Sequence, residues 1–527
     1  MTRHPIIIGV GQSINRSVEF ENAPSPIGLA KEAIQNCVSD CGCLNILSYV
    51  DSLSVVNILS WQYTDPVGLL CEMLDIRPRI KEYTLIGGNT PQWLVNRAAD
   101  KITSGEIEIA LLVGAEAMYT VTKAVRAGYT IPWPVTASGS ANQQLSASLG
   151  DTLSDVYHGD SQADHSRSPL TIIGDDRSGT SAHEILHGAT LPIQIYPLFE
   201  NALRGARGLS IEKHKMFLSE FCAGFSEIAS QNQFAWFPKA RTSSEIGEVS
   251  DINRIIGFPY TKFMNSVIDV NQAAGVILTS DEMAEKLSIP KHKRVYLHGG
   301  AEAIDKWFVS DRVDYSLSPA IQEISRATLE MTGIDLDQVS FFDLYSCFPC
   351  APIVAAKSMG LDLDSLPPLT ITGGLPYFGG AGNNYTMHAI AEAVERIRQH
   401  PNQYGYISAL GWYITKHAAG IYSGIEPTKL WNRQGQYYIQ QKLDAMESPG
   451  LALDPEGPAV VETYTVMHDR QGNPDYAIVV ARLQDGRRCW ANTEKDMALF
   501  VAMESEEFIG KPGFVSYGGN NPNIIKF

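Results

Sequence analysis

The sequence predicts an α/β protein with a duplicated, mostly parallel sheet, followed by a small β domain. Three observations carry this. Short apolar runs alternate with helical patterns, which is how a parallel sheet with crossover helices is written in sequence. The alternation stops at about residue 119 and resumes after about 250, and the two stretches end alike. Beyond about 426 the texture changes to short strands with hairpin turns. The predicted units are therefore a first half over 1–280 with an insertion at about 119–250, a second half over 281–425, and a β domain over 426–527. For 527 residues, this agrees with about 150 residues per domain.

In order, "PIIIGVG" (5–11) is a buried strand stopped by glycines, and "GVGQS" reads as the tight turn after it. A dinucleotide fingerprint is excluded there because residue 14 is Ile, where a third glycine is needed. "PSPIGLAKEAIQNCVSDCG" follows as a helix with Ile27, Ala30, Ala33 and Ile34 on one face. "VDSLSVV" is a strand, "PQWLVNRAADKITSG" a helix ending at Gly105, and "IEIALLVGAEAM" (107–118) another buried strand. The insertion holds a Gly/Ser-rich stretch, "TASGSANQQLSASLGDTLSD", and the amphipathic "SIEKHKMFLSEFCAGFSEIASQ". The α/β rhythm returns in "VNQAAGVILTSDEMAEKLS", "RVYLHGG", "QVSFFDLYS", "TMHAIAEAVERIRQH" and "YGYISALGWYITK". The tail, "GPAVVETYTVMHDRQGNPDYAIVVARLQDGRRCWANT", has alternating strands split by "RQGNPD" and "QDGR", and suggests a barrel. "PTKLWNRQGQYYIQQ" is its connector.

A formal charge of −17 repels phosphate backbones, so no nucleic-acid partner is expected. No apolar run approaches the ~20 residues of a membrane span, and the start lacks a signal-peptide pattern. Eight scattered cysteines make no disulfide framework. Together these predict a cytoplasmic protein with no membrane partner.

"HEILH" (183–187) has the zinc-protease spacing, but Gly188 and Pro192 end the helix and no third ligand follows, so no metal is expected. Cys347 and Cys350 in "FFDLYSCFPCAP" (341–352) form a Cys-x-x-Cys pair without a thioredoxin context or a second pair. This leaves a structural thiol or a nucleophile. The position favours a nucleophile, at the end of "QVSFFDLY", where open α/β folds bind ligands and a helix end lowers thiol pKa. Ser346 is a candidate cap for the helix that follows. "GGLPYFGGAGNNYTMHAIAEAVERI" (373–397) opens onto a helix, with Asn383 or Asn384 as its cap. Free N–H groups along Gly379–Gly382 would polarise a carbonyl, and His388, one turn in, suits a base. "SALGWYITKHAAG" (408–420) adds Lys416 and His417 after a strand and a glycine turn.

These segments, in this order, resemble the thiolase superfamily. "LLVGAEAM" is similar to its "aGGaEsM" strand, "DVNQAAGVILTS" to "nDGAAAlvl.S", "DLYSCFP" to "ElNEAF" or "HDCF", and "GGLPYFGGAG" to "GGaiAlGHPlG". "SALG" stands where the "CiGgG" loop lies, and the likeness spans about residues 5–425. It implies a five-layered αβαβα fold of two similar halves with an inserted loop domain. "NRIIGFPYTKFM" and "YPLFENALR" resemble the sterol-carrier-protein type with its extra C-terminal domain, here OB-like. The departures are at the chemistry. Gly88 stands at the position of the nucleophilic cysteine, Gly380 at that of the "GHP" histidine, and Ala409 at that of the second cysteine. The resemblance implies an acyltransferase acting on acyl-CoA, with the CoA thioester as substrate and no separate cofactor. With the standard cysteine gone, Cys347 is the expected nucleophile for transfer or cleavage of 3-oxoacyl-CoA. His388 and His417 would be its acid–base partners, and Tyr345, Gly379, Gly380 and Asn384 its substrate contacts. The alternative is a non-catalytic acyl-CoA-binding protein that serves a partner enzyme. A homodimer is possible, unless the added domain covers the dimer face.

Overall fold

The computed structural model describes residues 3–17, 19–133, 169–175 and 177–527; the Gly/Ser-rich stretch 136–155 lies outside them. One sheet of ten strands comprises β1 (Pro5–Ile14), β2 (Ser52–Val55), β3 (Ile80–Thr84), β4 (Ile109–Ala117), β5 (Leu170–Ile173), β6 (Asn271–Ser280), β7 (Val295–Ile304), β8 (Val339–Asp343), β9 (Tyr404–Gly411) and β10 (Lys416–Ser423). Its order is β8-β9-β10-β7-β1-β6-β4-β2-β3-β5. The order contains its own repeat, because β7-β10-β9-β8 follows the path of β1-β6-β4-β2. The halves meet where β1 and β7 pair, over Ile6↔Tyr296 and Ile7↔Val295.

Four helices complete the layers: α1 (Pro26–Cys41), α2 (Thr90–Thr103), α3 (Pro319–Thr332) and α4 (Tyr385–Gln399). α1 covers β1, β6 and β4 from outside, and α3 covers β7 and β10. α2 and α4 pack on each other and contact strands of both halves, making the middle layer of an αβαβα arrangement. With both faces covered, all ten residues of β6 are buried, and its middle, residues 273–278, is unbroken apolar sequence.

α1 forms where expected. Pro26 occupies its first turn, and Ser25 accepts the Gly28 N–H at 3.1 Å. "GVGQS" is not a turn. β1 runs through it to Ile14, and a Cβ at Gly9 or Gly11 would lie 2.6 Å from the Cys37 carbonyl oxygen or 2.2 Å from that of Ala33. Those glycines let α1 lie close on the strand.

The tail is a closed barrel of β11 (Gly457–His468), β12 (Pro474–Leu483), β13 (Arg488–Asn492), β14 (Pro512–Ser516) and β15 (Ile524–Lys526). β11 pairs with both β12 and β14, β12 with β13, β13 with β15 in parallel, and β15 with β14. This is OB-like order, with the helix Met497–Ser505 between the third and fourth strands. A hairpin from the inserted region joins the barrel through Gly257↔Met467. Among the described residues, no helix is long and apolar enough to cross a membrane.

Arg488 ties the barrel to the second half. It is fully buried, forms two bonds to Glu462 at 2.8 and 2.7 Å, and donates to the carbonyls of Ser310 and Arg312 at 2.7 Å each. Arg488→Ala would strand those acceptors and is expected to cost about 3 kcal/mol in urea unfolding. A loss below about 1 kcal/mol would show that the contact is not structural.

Candidate active-site region

The loops that carry chemistry in the resemblance converge at the N-terminal ends of α2 and α4. The loop before α2 holds Gly87, Gly88 and Asn89. A Cβ on Gly88 would sit 2.4 Å from the Tyr345 hydroxyl and 2.5 Å from the Leu410 carbonyl oxygen. Tyr345 therefore fills the space that a side chain at 88 would need. Its N–H donates to Ser408 Oγ at 3.1 Å, and its ring stands edge-on to Tyr385 at 5.5 Å. Tyr345, expected to touch substrate, packs inside the protein instead.

The glycine loop before α4 offers less than expected. Gly380 N–H donates to the Val267 carbonyl at 2.7 Å, and Gly382 N–H to that of Gly380 at 2.8 Å. A Cβ on Gly379 would lie 2.7 Å from Gln272 Oε1, and one on Gly380 2.4 Å from Ser266 Oγ. Gly379 and Gly380 are buried against those side chains, and the N–H groups of Gly380 and Gly382 are already used. Asn384 stands at the cap position of α4, but neither asparagine side chain makes a capping bond. Asn384 Nδ2 donates to Gly114 O at 2.8 Å and Ala274 O at 3.3 Å, while Asn383 Oδ1 accepts the Gly87 N–H at 2.9 Å.

Cys347 is half-buried, and burial pushes its thiol up to about 12, against a smaller downward effect of Tyr196. Its carbonyl accepts the Ser266 N–H at 3.0 Å. Cys350 is sealed, with Sγ facing Tyr196 O at 3.5 Å. The next helix, Cys350–Met359, has Pro349 at its cap position and no side-chain cap, so Ser346 does not close it. On balance these surroundings disfavour a thiolate, because burial outweighs the hydrogen bonds that would stabilise it.

The histidines have other neighbours. His388 is buried, and burial drives its pKa down to about 3. Its Nδ1 meets Gln12 Oε1 at 2.7 Å, while Gln12 Nε2 donates to Glu392 Oε1 at 2.8 Å. The neutral ring thus carries its proton on Nδ1, and Nε2 is buried without a partner beside Phe378. His417 Nε2 lies 3.1 Å from Ile414 O and 3.3 Å from Asp305 Oδ2. Burial would raise the Asp305 carboxyl, but His417, Arg312 and Ser318 together hold it below the usual range. No hydrogen bond, ion pair or ring contact joins any two of Cys347, His388 and His417, so the expected trio is not assembled by contact.

The "HEILH" residues are structural. Glu184 Oε1 accepts from Ser310 N and Oγ at 2.7 and 2.8 Å, and Oε2 from Ser181 N at 2.8 Å. His187 Nε2 accepts the Asn523 N–H at 3.1 Å, joining this helix to the barrel.

What the sequence did not disclose is a cleft of about 990 Å³ along the outer side of α2, lined by Asn89, Trp93, Asp175, Lys416 and Tyr437 among others. Lys416 Nζ donates to Ile86 O at its floor, and burial brings its pKa down to about 8. The lysine was visible as a strand-end residue. The cleft was not, because its walls come from both halves and the connector.

The family model for the thiolase-like protein type 1 additional C-terminal domain matches residues 438–520. No curated protein matches the chain. Among solved structures, a monomeric SCP2-thiolase like protein type 1 from Mycobacterium smegmatis is 29% identical, with a TM-score of 0.80 over 99% of both chains. An acetyl-CoA acetyltransferase from Syntrophomonas wolfei is 13% identical, with a TM-score of 0.53 over 81% of this chain and 100% of that one. Human mitochondrial 3-ketoacyl-CoA thiolase is 13% identical, with a TM-score of 0.52 over 80% and 99%.

Two outcomes test the packing of this region. Gly88→Cys should lose about 1–3 kcal/mol in urea unfolding through overpacking, and less of that in a Tyr345→Ala background. Equal losses in both backgrounds would mean that Tyr345 does not fill the space. Burial, with Glu395 adding, pushes the Glu392 carboxyl up to about 7. Its folded pKa lies above the unfolded value of about 4.3, so its stability contribution is present below that pH and is lost as pH rises to about 7. Glu392→Gln should therefore gain on the parent in urea midpoint between these pH values; a constant difference would refute the shift. The chain thus has the fold of the thiolase-like structures, and residues 438–520 match the additional C-terminal domain of thiolase-like protein type 1.

Proposed function

We propose that this protein recognises acyl-CoA thioesters without the acyl-enzyme chemistry of the standard thiolase site. The observation that carries the reading is Gly88, with the Tyr345 hydroxyl 2.4 Å from where its Cβ would be. A nucleophile is missing there and the space for one is taken. Acyl-CoA as ligand rests on the thiolase-like fold, whose similar structures include an acetyl-CoA acetyltransferase and a 3-ketoacyl-CoA thiolase. The cleft of about 990 Å³ is at the upper end of ligand-site volumes, roughly 300–1,000 Å³. In this reading the thioester lies near Lys416 and Asn89, and the CoA moiety extends past Trp93 towards Arg97 and Arg433. CoA is the ligand's carrier, and no further cofactor is involved. The protein works as a single chain, as the M. smegmatis relative is described.

A second reading keeps the relocated nucleophile, with Cys347 taking the acyl group from a 3-oxoacyl-CoA and His388 and His417 moving protons. One observation favours it: of the two loop thiols, Cys347 alone is open to solvent in part, and Cys350 is sealed. It needs a rearrangement that brings an imidazole to the thiol.

One experiment separates the two. The protein is mixed with acetyl-, acetoacetyl- and long-chain acyl-CoA, and followed by calorimetry, light scattering and intact-mass spectrometry. The expected result is saturable binding by a 57.8 kDa species with no covalent adduct. An acyl adduct that disappears in Cys347→Ala would replace the first reading with the second. Absence of binding for every chain length would refute both.

A further inference from the structure

We propose that His4, Asp281 and Glu426 form a zinc site that clamps the first half to the start of the connector. Each offers one ligand atom, and the three atoms lie within 4.8 Å of one another. Two ligands at about 2.0–2.2 Å from one zinc lie roughly 3–4 Å apart, and rotation of the exposed Glu426 side chain closes the difference.

The state of each group points to a cation. His4 is 6% exposed, and its Nδ1 is buried with no hydrogen-bond partner. Asp281 Oδ1 accepts the backbone N–H of His4 at 3.0 Å and of Glu282 at 2.9 Å, which fixes the carboxylate. Asp281 N–H donates back to His4 O at 3.0 Å. Glu426 is held at its backbone, because the preceding Ile425 carbonyl lies 2.8 Å from His298 Nε2. Neither carboxylate makes an ion pair among the described residues, and the neighbouring Glu282 already pairs with Lys286 at 3.1 Å. Two carboxylates brought together repel each other, the nearby Arg3 guanidinium acts on Asp281 without forming an ion pair with it, and an unpartnered buried imidazole nitrogen is a cost. A divalent ion removes both penalties. An imidazole among the donors selects a transition metal over magnesium or calcium. Three protein ligands leave a fourth tetrahedral position for water.

The location gives the site a use. His4 leads into β1, Asp281 begins the helix after β6, and Glu426 follows β10 at the start of the connector. The cluster stands at the end of the β1–β7 seam, where two residue pairs carry the strand pairing. A metal there ties the first half to the segment that leads to the barrel.

The test uses tag-free, full-length protein stripped with chelator and titrated with zinc, then with cobalt as a spectroscopic substitute. The expected result is one zinc per chain, a raised melting temperature, and cobalt ligand-field absorption insensitive to excess magnesium or calcium. Glu426→Gln, an exposed change outside the core, should weaken zinc by about tenfold or more with the fold intact. His4→Ala should abolish the cobalt signal. Lack of stoichiometric binding, equal affinity in Glu426→Gln, or binding without a rise in melting temperature would overturn the proposal.

Discussion

Two helices, α2 and α4, lie between the two halves of the ten-stranded sheet, so the polar groups they carry inward must find partners on the protein. Each solves this with a stripe at helical spacing. On α2, Gln92 accepts from the Tyr422 hydroxyl at 2.7 Å, and Asn96 Nδ2 reaches Glu302 at 3.1 Å and the carbonyls of Ala301 and Ala419 at 3.4 Å. On α4, Asn384 bonds Gly114 and Ala274, and His388 bonds Gln12. Each helix is thus anchored in strands of the opposite half, and the register between the halves is set by buried hydrogen bonds as well as by apolar packing. Such bonds are specific because an unmet partner costs more than a made bond gains.

That anchoring explains the fate of the histidine on α4. Position 388 belongs to the structural stripe, where a neutral ring bonded to Gln12 holds the layer together. The same pressure governs the loops at the helix ends. With no side chain at Gly88, a void would form against Leu410, and the Tyr345 phenol occupies it. The glycine loop turns its N–H groups to its neighbours for the same reason. A close-packed interior does not keep an empty site unless something fills or needs it.

The barrel is integrated with this core. Arg488 reaches the second half, Arg204 in the inserted region pairs with Glu507 of the barrel, and Asn523 N–H meets His187. The inserted region and the tail therefore buttress the same side of the molecule. The large cleft lies elsewhere, walled by α2, the starts of β10 and the connector.

The sequence alone determined the α/β class, the hint of duplication and the β tail, because strand and helix periodicity and turn residues are local properties that every buried element must obey; the layer order and the OB-like character came from the family resemblance. The same resemblance sets Gly88, Gly380 and Ala409 at positions where the family carries its catalytic groups, which is a matter of residue identity. What it misread were terminations and encounters. "GVGQS" continues as strand because α1 lies on it, the Asn383 and Asn384 side chains bond elsewhere instead of capping, and Ser346 Oγ is buried without a partner. Cys347, His388 and His417 stand at strand ends or on a helix as expected, yet each has its own set of neighbours. Whether side chains from distant loops meet depends on which volume each fills after the layers close, and only the tertiary structure decides that.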